Sequence, residues 1–168
     1  MILRGRLWVL KSGENLFSDI DTDMIYHNAH LAVTEIEKMG QFALGNLDGY
    51  KDFAVKAQPG DIILTGDNFG SGSSRQHAVD CFAALGVQAV IARSFGAIYK
   101  RNAINSGFPI MELPGLPDNL FEQFDEVELD LEKGVISKGE KSFHGNPMSK
   151  VARDIYLAGG LFQYAEQM

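Results

Sequence analysis

The sequence predicts an α/β fold with an added β-layer, in which parallel strands alternate with helices. Two apolar segments flank a helical stretch that ends at Gly86, and a second helix ending at Gly107 leads into a third apolar segment. The predicted elements are strand 61–65, helix 73–85, strand 87–92, helix 97–106 and strand 108–111. Such units have parallel strands and right-handed crossovers, so their strand ends gather at the sheet edge where α/β proteins bind ligands.

The flanking segments are predicted to add strands and short helices. Residues 2–10 suit an opening strand interrupted by Gly5, and the apolar spacing within residues 31–39 favours a short helix. Beyond Pro117, alternating apolar residues indicate strands, with turns at residues 133–134 and 138–139. The chain from Ser149 onward is typical of a helix broken by two glycines. No linker divides the chain, so residues 1–168 are expected to form one domain.

Composition limits the classes of function. The 168 residues carry a formal net charge of −7, and the densest basic spot is only Lys100-Arg101. Nucleic-acid and anionic-membrane binders concentrate lysine and arginine, so neither class of partner is expected. No run of about 18 apolar residues occurs, and the opening apolar run is too short for a signal peptide, so a cytoplasmic protein is expected.

Cys81 is the only cysteine. A single thiol excludes an internal disulfide, a cysteine-based zinc site and the three-thiolate cradle of an iron–sulfur cluster within this chain. Its apolar neighbours favour a buried, inert side chain. Any metal chemistry must therefore be supplied elsewhere.

The loop NFGSGSSRQH, residues 68–77, has two interpretations. Ser73 and Gln76 have the spacing of a capping box, which would explain the serine as a helix cap alone. The same segment offers free N–H groups, flexible glycines and Arg75 in the first helical turn, a combination that binds anions such as a carboxylate. It lacks the lysine of a P-loop, the third glycine of a dinucleotide-binding loop and the serine position of a hydrolase elbow.

Three stretches together resemble a known family: DIDTD, then DNFGSGSSRQHA, then SFGAIYKRNAINSGFPIM. They are similar to the small subunit of 3-isopropylmalate dehydratase and homoaconitase, which is itself similar to the swivelling domain of aconitase. The likeness spans nearly the whole chain. It implies an aconitase swivel-domain-like, three-layer β/β/α fold with parallel βαβ units.

The resemblance implies roles for the loop residues. Ser73 matches the serine that acts as base on the substrate carbon, with Ser74 beside it, Arg75 binding a substrate carboxylate and Asp23 at the edge of the active site. The loop formed by Gly70, Ser71 and Gly72 would contribute to substrate binding. Gln76 stands where the family commonly has glutamate, so a charge near Arg75 is lost.

The family reaction dehydrates a hydroxy-diacid and rehydrates it at the neighbouring carbon, using a [4Fe-4S] cluster. The cluster's cysteines belong to a large subunit, which implies a heterodimer or heterotetramer and agrees with the single cysteine here. The isolated small subunit is expected to be inactive.

The resemblance also locates substrate choice, in the loop after DTD. Here it reads His30, Leu31, Ala32 and Val33, where homoaconitase-like members have an arginine for an extra carboxylate. An apolar pocket favours an isopropyl group, because a carboxylate without a partner is costly to desolvate. The expected activity is 3-isopropylmalate dehydratase in leucine biosynthesis.

Other functions stay open at this point. The substrate could be homoaconitate, citraconate/methylmalate or dimethylmalate, and a different class of protein, a non-catalytic anion-binding regulatory module, would keep the fold without a cluster partner.

His77, four residues after Ser73, is expected to pack or cap near the helix start instead of acting as a catalytic partner.

Overall fold

The computed structural model describes residues 1 to 168. The strands are β1 (Ile2–Val9), β2 (Lys11–Ser12), β3 (Asn15–Leu16), β4 (Ile62–Thr65), β5 (Ala89–Ala92), β6 (Ile110–Glu112), β7 (Glu126–Asp130), β8 (Val135–Lys138) and β9 (Lys141–His144). The helices are α1 (Thr22–Ile25), α2 (Ile36–Met39), α3 (Phe53–Lys56), α4 (His77–Ala84), α5 (Ala97–Asn105), α6 (Lys150–Ala158) and α7 (Leu161–Glu166), with 3-10 turns at Asn28–His30 and Gly40–Phe42.

Strand β1 joins two β-layers. Its last three residues pair in parallel with β4, in a parallel group ordered β6-β5-β4-β1, whereas residues 2–6 pair antiparallel with β7, which continues to β8 and β9. Gly5 lies just before this change of partner, where a Cβ atom would overlap the carbonyl oxygen of Gly60. Only glycine permits this close backbone approach, so the residue that interrupts the predicted strand is the one that lets it serve both layers.

Two apolar cores define three layers. One core lies between the parallel strands and the antiparallel strands and includes Leu7, Leu64 and Leu129. The other lies between the opposite face of the parallel strands and the helices and includes Ile63, Phe82 and Tyr99. The predicted three-layer β/β/α arrangement with parallel βαβ units is therefore confirmed.

Most predicted elements are present with slightly shorter bounds. The central strands and α5 match the expected order, three antiparallel strands follow residue 117, and α6 is capped at its C-terminus by Gly159, whose φ of 95° is left-handed. Two predictions are wrong. The helix expected over residues 31–39 is only α2, since Leu31 and Val33 lie outside it, and the helix expected from Ser73 begins at His77.

The remaining elements connect β1 to β4. The β2–β3 hairpin and the short helices α1 and α3 have too few residues to produce a periodic apolar pattern. Cys81 is buried, as expected, and burial raises the pKa of its thiol. None of the helices is both long enough and apolar enough to cross a lipid bilayer.

Candidate active site

Three loops meet at the carboxyl edge of the parallel strands. The Gly70 N–H donates to the carbonyl of Ile20 at 2.7 Å, which joins the loop after β4 to the DIDTD segment. On its other side, Phe69 donates to the Ser94 carbonyl at 3.0 Å and accepts from the Gly96 N–H at 2.9 Å. The loop after β4 is thus fixed between its two neighbours, at the edge where the sequence predicts a ligand site.

Two glycines shape this loop. Gly70 and Gly72 have φ angles of 80° and 95°, a region that side-chain-bearing residues rarely adopt. A Cβ atom at Gly70 would overlap the ring of Tyr99 on α5. A Cβ atom at Gly96 would lie 2.8 Å from the Gly70 carbonyl oxygen. The lack of a side chain at Gly70 and Gly96 therefore allows the loop to pack closely against the start of α5.

Ser73 combines a fixed backbone with a free side chain. Its carbonyl oxygen accepts a hydrogen bond from the Thr22 hydroxyl at 3.0 Å. The residue is exposed, and its own hydroxyl forms no hydrogen bond with the protein. Its Oγ is thus available to a ligand.

Arg75 is held at one nitrogen only. Its Nη1 donates to the Tyr26 carbonyl at 2.7 Å and to Asp23 Oδ1 at 3.3 Å, and its side chain is only 11% exposed. Nε and Nη2 have no hydrogen-bond partner in the protein. This is the edge of a guanidinium group that can donate two parallel hydrogen bonds to a carboxylate.

Asp23 is the centre of a small hydrogen-bond network. Besides Arg75, it accepts from the Asn28 N–H at 3.0 Å and from Asn46 Nδ2 at 3.2 Å. The Asn28 N–H, followed by Arg75 and His27, holds the pKa of the Asp23 carboxyl below its ordinary value against the opposing effect of desolvation. Asp23 is therefore an anion at neutral pH and a fixed partner of Arg75.

The start of α4 differs from the predicted capping box. The N-cap position is Gln76, which has no side-chain cap bond and instead donates Nε2 to Asp80 at 3.1 Å. The helix does not extend back to Ser73, because left-handed Gly72 turns the chain and Thr22 occupies the Ser73 carbonyl. Arg75 therefore precedes the helix, whereas the sequence predicted it in the first helical turn.

Without the predicted capping box, more backbone N–H groups before α4 are left free. None of the seven consecutive backbone N–H groups from Ser71 to His77 donates to another protein group. A run of free N–H groups before a helix, beside an arginine, is a favourable place for an anion. The anion-binding interpretation of the loop is thus favoured over simple capping.

Ser71 and Ser74 have different surroundings. The Ser71 carbonyl accepts from the Thr22 N–H at 2.9 Å, in an isolated parallel bridge between Ser71 and Asp21. The Ser74 hydroxyl is exposed and accepts from Asn102 Nδ2 on α5 at 3.2 Å. Asn102 belongs to the RNAIN stretch, so two of the recognised motifs meet here.

The segment expected to select the substrate borders this network. The His30 ring stacks on Phe42, with centroids 3.8 Å apart and planes inclined by 11°. Leu31 and Ala32 are exposed, and the Val33 carbonyl is 2.8 Å from His77 Nε2. His77 therefore packs against this segment, as expected, and no hydrogen bond links residues 30–33 to Ser73.

The chain's own residues do not fit a metal or an iron–sulfur cluster. No group of three or more His, Cys, Asp or Glu side chains is arranged to hold a metal ion, and the single thiol is buried in the apolar core. A cavity of about 230 Å³ lies elsewhere, between α5, β6 and α6. The Ser73 loop lies outside that cavity.

Three contributors to the site carried no recognisable sequence signal. Tyr26 acts through its carbonyl oxygen, and Asn28 acts through its N–H, so side-chain identity could not point to either. Asn46 lies in the turn-like stretch GNLDG, 23 residues from Asp23. Only the tertiary structure brings them to Arg75.

Comparison with known proteins finds relatives along nearly the whole chain. Residues 13–114 match the family described as the Aconitase C-terminal domain. The chain is 41% identical to the 3-isopropylmalate dehydratase small subunit of Aquifex aeolicus, covering 99% of this chain and 96% of that one. It is 40% identical to the isopropylmalate/citramalate isomerase small subunit of Methanocaldococcus jannaschii, with 99% and 95% coverage.

The fold is similar to a solved structure as well. The crystal structure of 3-isopropylmalate dehydratase from Methanocaldococcus jannaschii superposes with a TM-score of 0.82 and 34% identity, over 99% of this chain and 95% of that one. The chain therefore belongs to the Aconitase C-terminal domain family, together with the small subunits of 3-isopropylmalate dehydratase.

Proposed function

We propose that this chain, as one domain of residues 1–168, is the small subunit of 3-isopropylmalate dehydratase. The complete enzyme would convert 2-isopropylmalate to 3-isopropylmalate by dehydration and rehydration. The free Nε–Nη2 edge of Arg75 carries the proposal, because a largely buried guanidinium held at one nitrogen is ready to bind a substrate carboxylate. Relatives bearing this name match over nearly the full length of the chain.

Ser73 is the proposed base. Dehydration requires removal of a proton from a carbon next to a carboxylate, and negative charge then develops on that carboxylate. Arg75 and the free N–H groups of residues 71–77 lie where they can stabilise this charge. The same donors favour the alkoxide form of the Ser73 hydroxyl, which would take up the proton and return it on rehydration.

The other loop residues have supporting roles. Asp23 fixes Arg75 and does not carry a proton, since its carboxyl accepts hydrogen bonds from three residues. Gly70 and Gly72 shape the loop, Ser71 holds it to the DIDTD segment, and Ser74 is oriented by Asn102.

A partner chain must supply the rest of the site. The donors of this chain do not fit a cluster, so the [4Fe-4S] group and departure of the substrate hydroxyl are assigned to a large subunit. The exposed Ser73 and Ser74 are consistent with a half-site covered by that subunit. The assembly would be a heterodimer or a heterotetramer.

The substrate side chain is proposed to be apolar. Leu31, Ala32 and Val33 provide no cation for a third carboxylate, which argues against homoaconitate. Citramalate is the second candidate, because the Methanocaldococcus jannaschii relative is named for both isopropylmalate and citramalate. The two substrates differ in the size of their apolar group, which is isopropyl in isopropylmalate and methyl in citramalate.

The test uses the chain assembled with its large subunit and an anaerobically restored cluster. Turnover of 2-isopropylmalate, citramalate and homoaconitate is compared. Ser73→Ala should abolish turnover while assembly persists, and Ser142→Ala, an exposed serine on β9, should leave turnover unchanged. Arg75→Lys should reduce kcat/KM roughly ten- to a hundredfold, as expected for one charged hydrogen bond.

Three results would contradict the proposal. Substantial activity in Ser73→Ala would exclude this serine as the base. Turnover of homoaconitate without turnover of 2-isopropylmalate would exclude the substrate. A chain that binds dicarboxylates tightly but never assembles with a large subunit would be a regulatory module and not an enzyme subunit.

A further inference from the structure

The turn that follows the second 3-10 helix is fixed against α1. The Leu44 N–H donates to the Ile25 carbonyl at 2.8 Å, and the Leu44 side chain is fully buried. Leu44 has a φ of 56°, an uncommon conformation for a bulky residue. Leu47, three residues on, is also buried. Anchors on both sides therefore hold Asn46 in a defined position beside Asp23.

Asn46 contacts Asp23 twice. Its Nδ2 donates to the Asp23 carbonyl oxygen and to Oδ2, each at 3.2 Å. The other carboxyl oxygen, Oδ1, accepts from Arg75 and from the Asn28 N–H. Because each carboxyl oxygen has its own donor, the carboxyl group cannot rotate without losing a hydrogen bond.

We propose that Asn46 is a positioning residue that fixes the guanidinium of Arg75 through Asp23. This inference rests on the proposed role of Arg75 as the carboxylate-binding group. Asn46 orients Asp23, Asp23 and the Tyr26 carbonyl hold Nη1, and the Nε–Nη2 edge is kept facing the ligand. A bidentate contact depends on this orientation, so a loose Arg75 would bind the carboxylate more weakly.

The neutrality of Asn46 matters as well as its geometry. An amide donates to Asp23 without adding a charge, so the attraction between Asp23 and Arg75 is preserved. An aspartate at position 46 would keep the size of the side chain, remove the donor and place a second carboxylate beside the first. It would repel Asp23 and compete for the guanidinium.

The experiment measures kcat and KM for 2-isopropylmalate with the assembled two-chain enzyme. Asn46→Ala should raise KM about five- to tenfold and change kcat less than about twofold, since it weakens a contact made before and during the reaction. Asn46→Asp should raise KM further. The control is Gln41→Ala, because the Gln41 amide donates to the Lys38 carbonyl in the same segment and contacts neither Asp23 nor Arg75.

Arg75→Lys, alone and combined with Asn46→Ala, separates this inference from the proposed function. If Asn46 acts through Arg75, the double variant should have a KM close to that of Arg75→Lys alone. A raised KM in Arg75→Lys with normal values in both Asn46 variants would overturn the inference and leave the function standing. An unchanged kcat/KM in Arg75→Lys would refute the carboxylate-binding role itself.

Melting temperature and co-purification with the large subunit are measured for every variant. Normal melting temperatures with raised KM support positioning. Failure of both Asn46→Ala and Asn46→Asp to fold or assemble would make Asn46 a structural residue and would overturn the inference.

Discussion

The Thr22 hydroxyl donates to the carbonyl oxygen of Ser73 at 3.0 Å and joins two loops whose residues are 51 positions apart. Thr22 is 3% exposed, so its hydroxyl has little access to alternative partners. The bond fixes the backbone of the proposed base while leaving its side chain free. The recognised motifs DTD and GSGSSR therefore form one physical unit.

Thr22→Val should reduce turnover more than it reduces stability. Valine keeps the shape and removes the hydroxyl, so the free energy of unfolding should fall by about 1 kcal/mol, the usual contribution of one hydrogen bond. Release of the Ser73 backbone should lower kcat about tenfold, because small displacements of a reacting group are costly. Thermal unfolding and steady-state kinetics of the assembled enzyme measure the two effects.

Thr65 provides the matched control. It is fully buried at the end of β4, and its hydroxyl donates to the Phe17 carbonyl at 2.8 Å. Thr65→Val should lose a similar amount of stability with a much smaller loss of kcat. Equal losses of kcat in the two variants would show that general destabilisation, and not the Ser73 contact, affects turnover.

Asp23→Asn tests whether this carboxyl moves protons. The Asn28 N–H and Arg75 lower the pKa of Asp23 in the folded state. The ionised carboxyl group therefore stabilises the folded protein at pH values above the unfolded-state pKa. This contribution is lost as pH falls through the lower folded-state pKa. That window lies below about pH 4. Between about pH 5 and 9 the variant should show a raised KM and the same number of limbs in its pH–rate profile.

The contrary result for Asp23 is equally clear. Loss of one limb of the profile in Asp23→Asn, with KM unchanged, would identify a proton carrier in place of a partner for Arg75. Because Asp23 is partly exposed, the ion pair itself should contribute little to the stability of the fold.

The sequence predicted the central βαβ units because their strands are continuously apolar and their helices end at Gly86 and Gly107. It overextended the helix that contains Cys81, since the spacing of Ser73 and Gln76 satisfies a capping box whether or not the chain adopts one. The left-handed turn at Gly72 and the hydrogen bond from Thr22 to the Ser73 carbonyl prevent the helix from beginning at Ser73. Thr22 lies 51 residues away, so this effect has no local sequence signal.

The candidate site was predictable to a similar extent. Arg75, Ser73 and Asp23 carry recognisable side-chain chemistry in characteristic motifs, so the sequence singled them out. The Tyr26 carbonyl is a backbone group common to all residues. Asn46 reaches Asp23 from a turn in which left-handed Leu44 is hydrogen-bonded to Ile25 of α1. Such contributions have no local sequence signature.

Gly70→Ala should destabilise the protein through a steric overlap. The added methyl group would meet the Tyr99 ring, which is buried against the loop, and the residue would keep a φ near 80°. The expected loss in the free energy of unfolding exceeds about 2 kcal/mol. Gly13→Ala is the control, because Gly13 has a φ of 63° with no atom within 4 Å, so only the conformational cost of about 1 kcal/mol applies.

A buried ion pair at the opposite end of the parallel strands should matter for stability and not for turnover. Asp61 accepts from Arg6 Nε and Nη2 at 3.1 and 2.9 Å and from Trp8 Nε1 at 2.8 Å, and its side chain is 3% exposed. Asp61→Asn leaves the guanidinium without its anion in a largely buried place. The expected cost is about 3 kcal/mol.

Strand β1, which carries Arg6, also carries Arg4, whose ion pair is exposed and serves as the matched control. Arg4 binds Glu128 at 2.8 Å, but the two side chains are 70% and 48% exposed. Water and salt screen this pair, so Glu128→Gln should change the free energy of unfolding by less than about 1 kcal/mol. Urea unfolding of both variants checks the contrast. If the two substitutions lower the free energy of unfolding equally, burial does not determine how much the Arg6–Asp61 pair contributes to stability. A changed kcat in Asp61→Asn would contradict the expectation that this pair has no role in turnover.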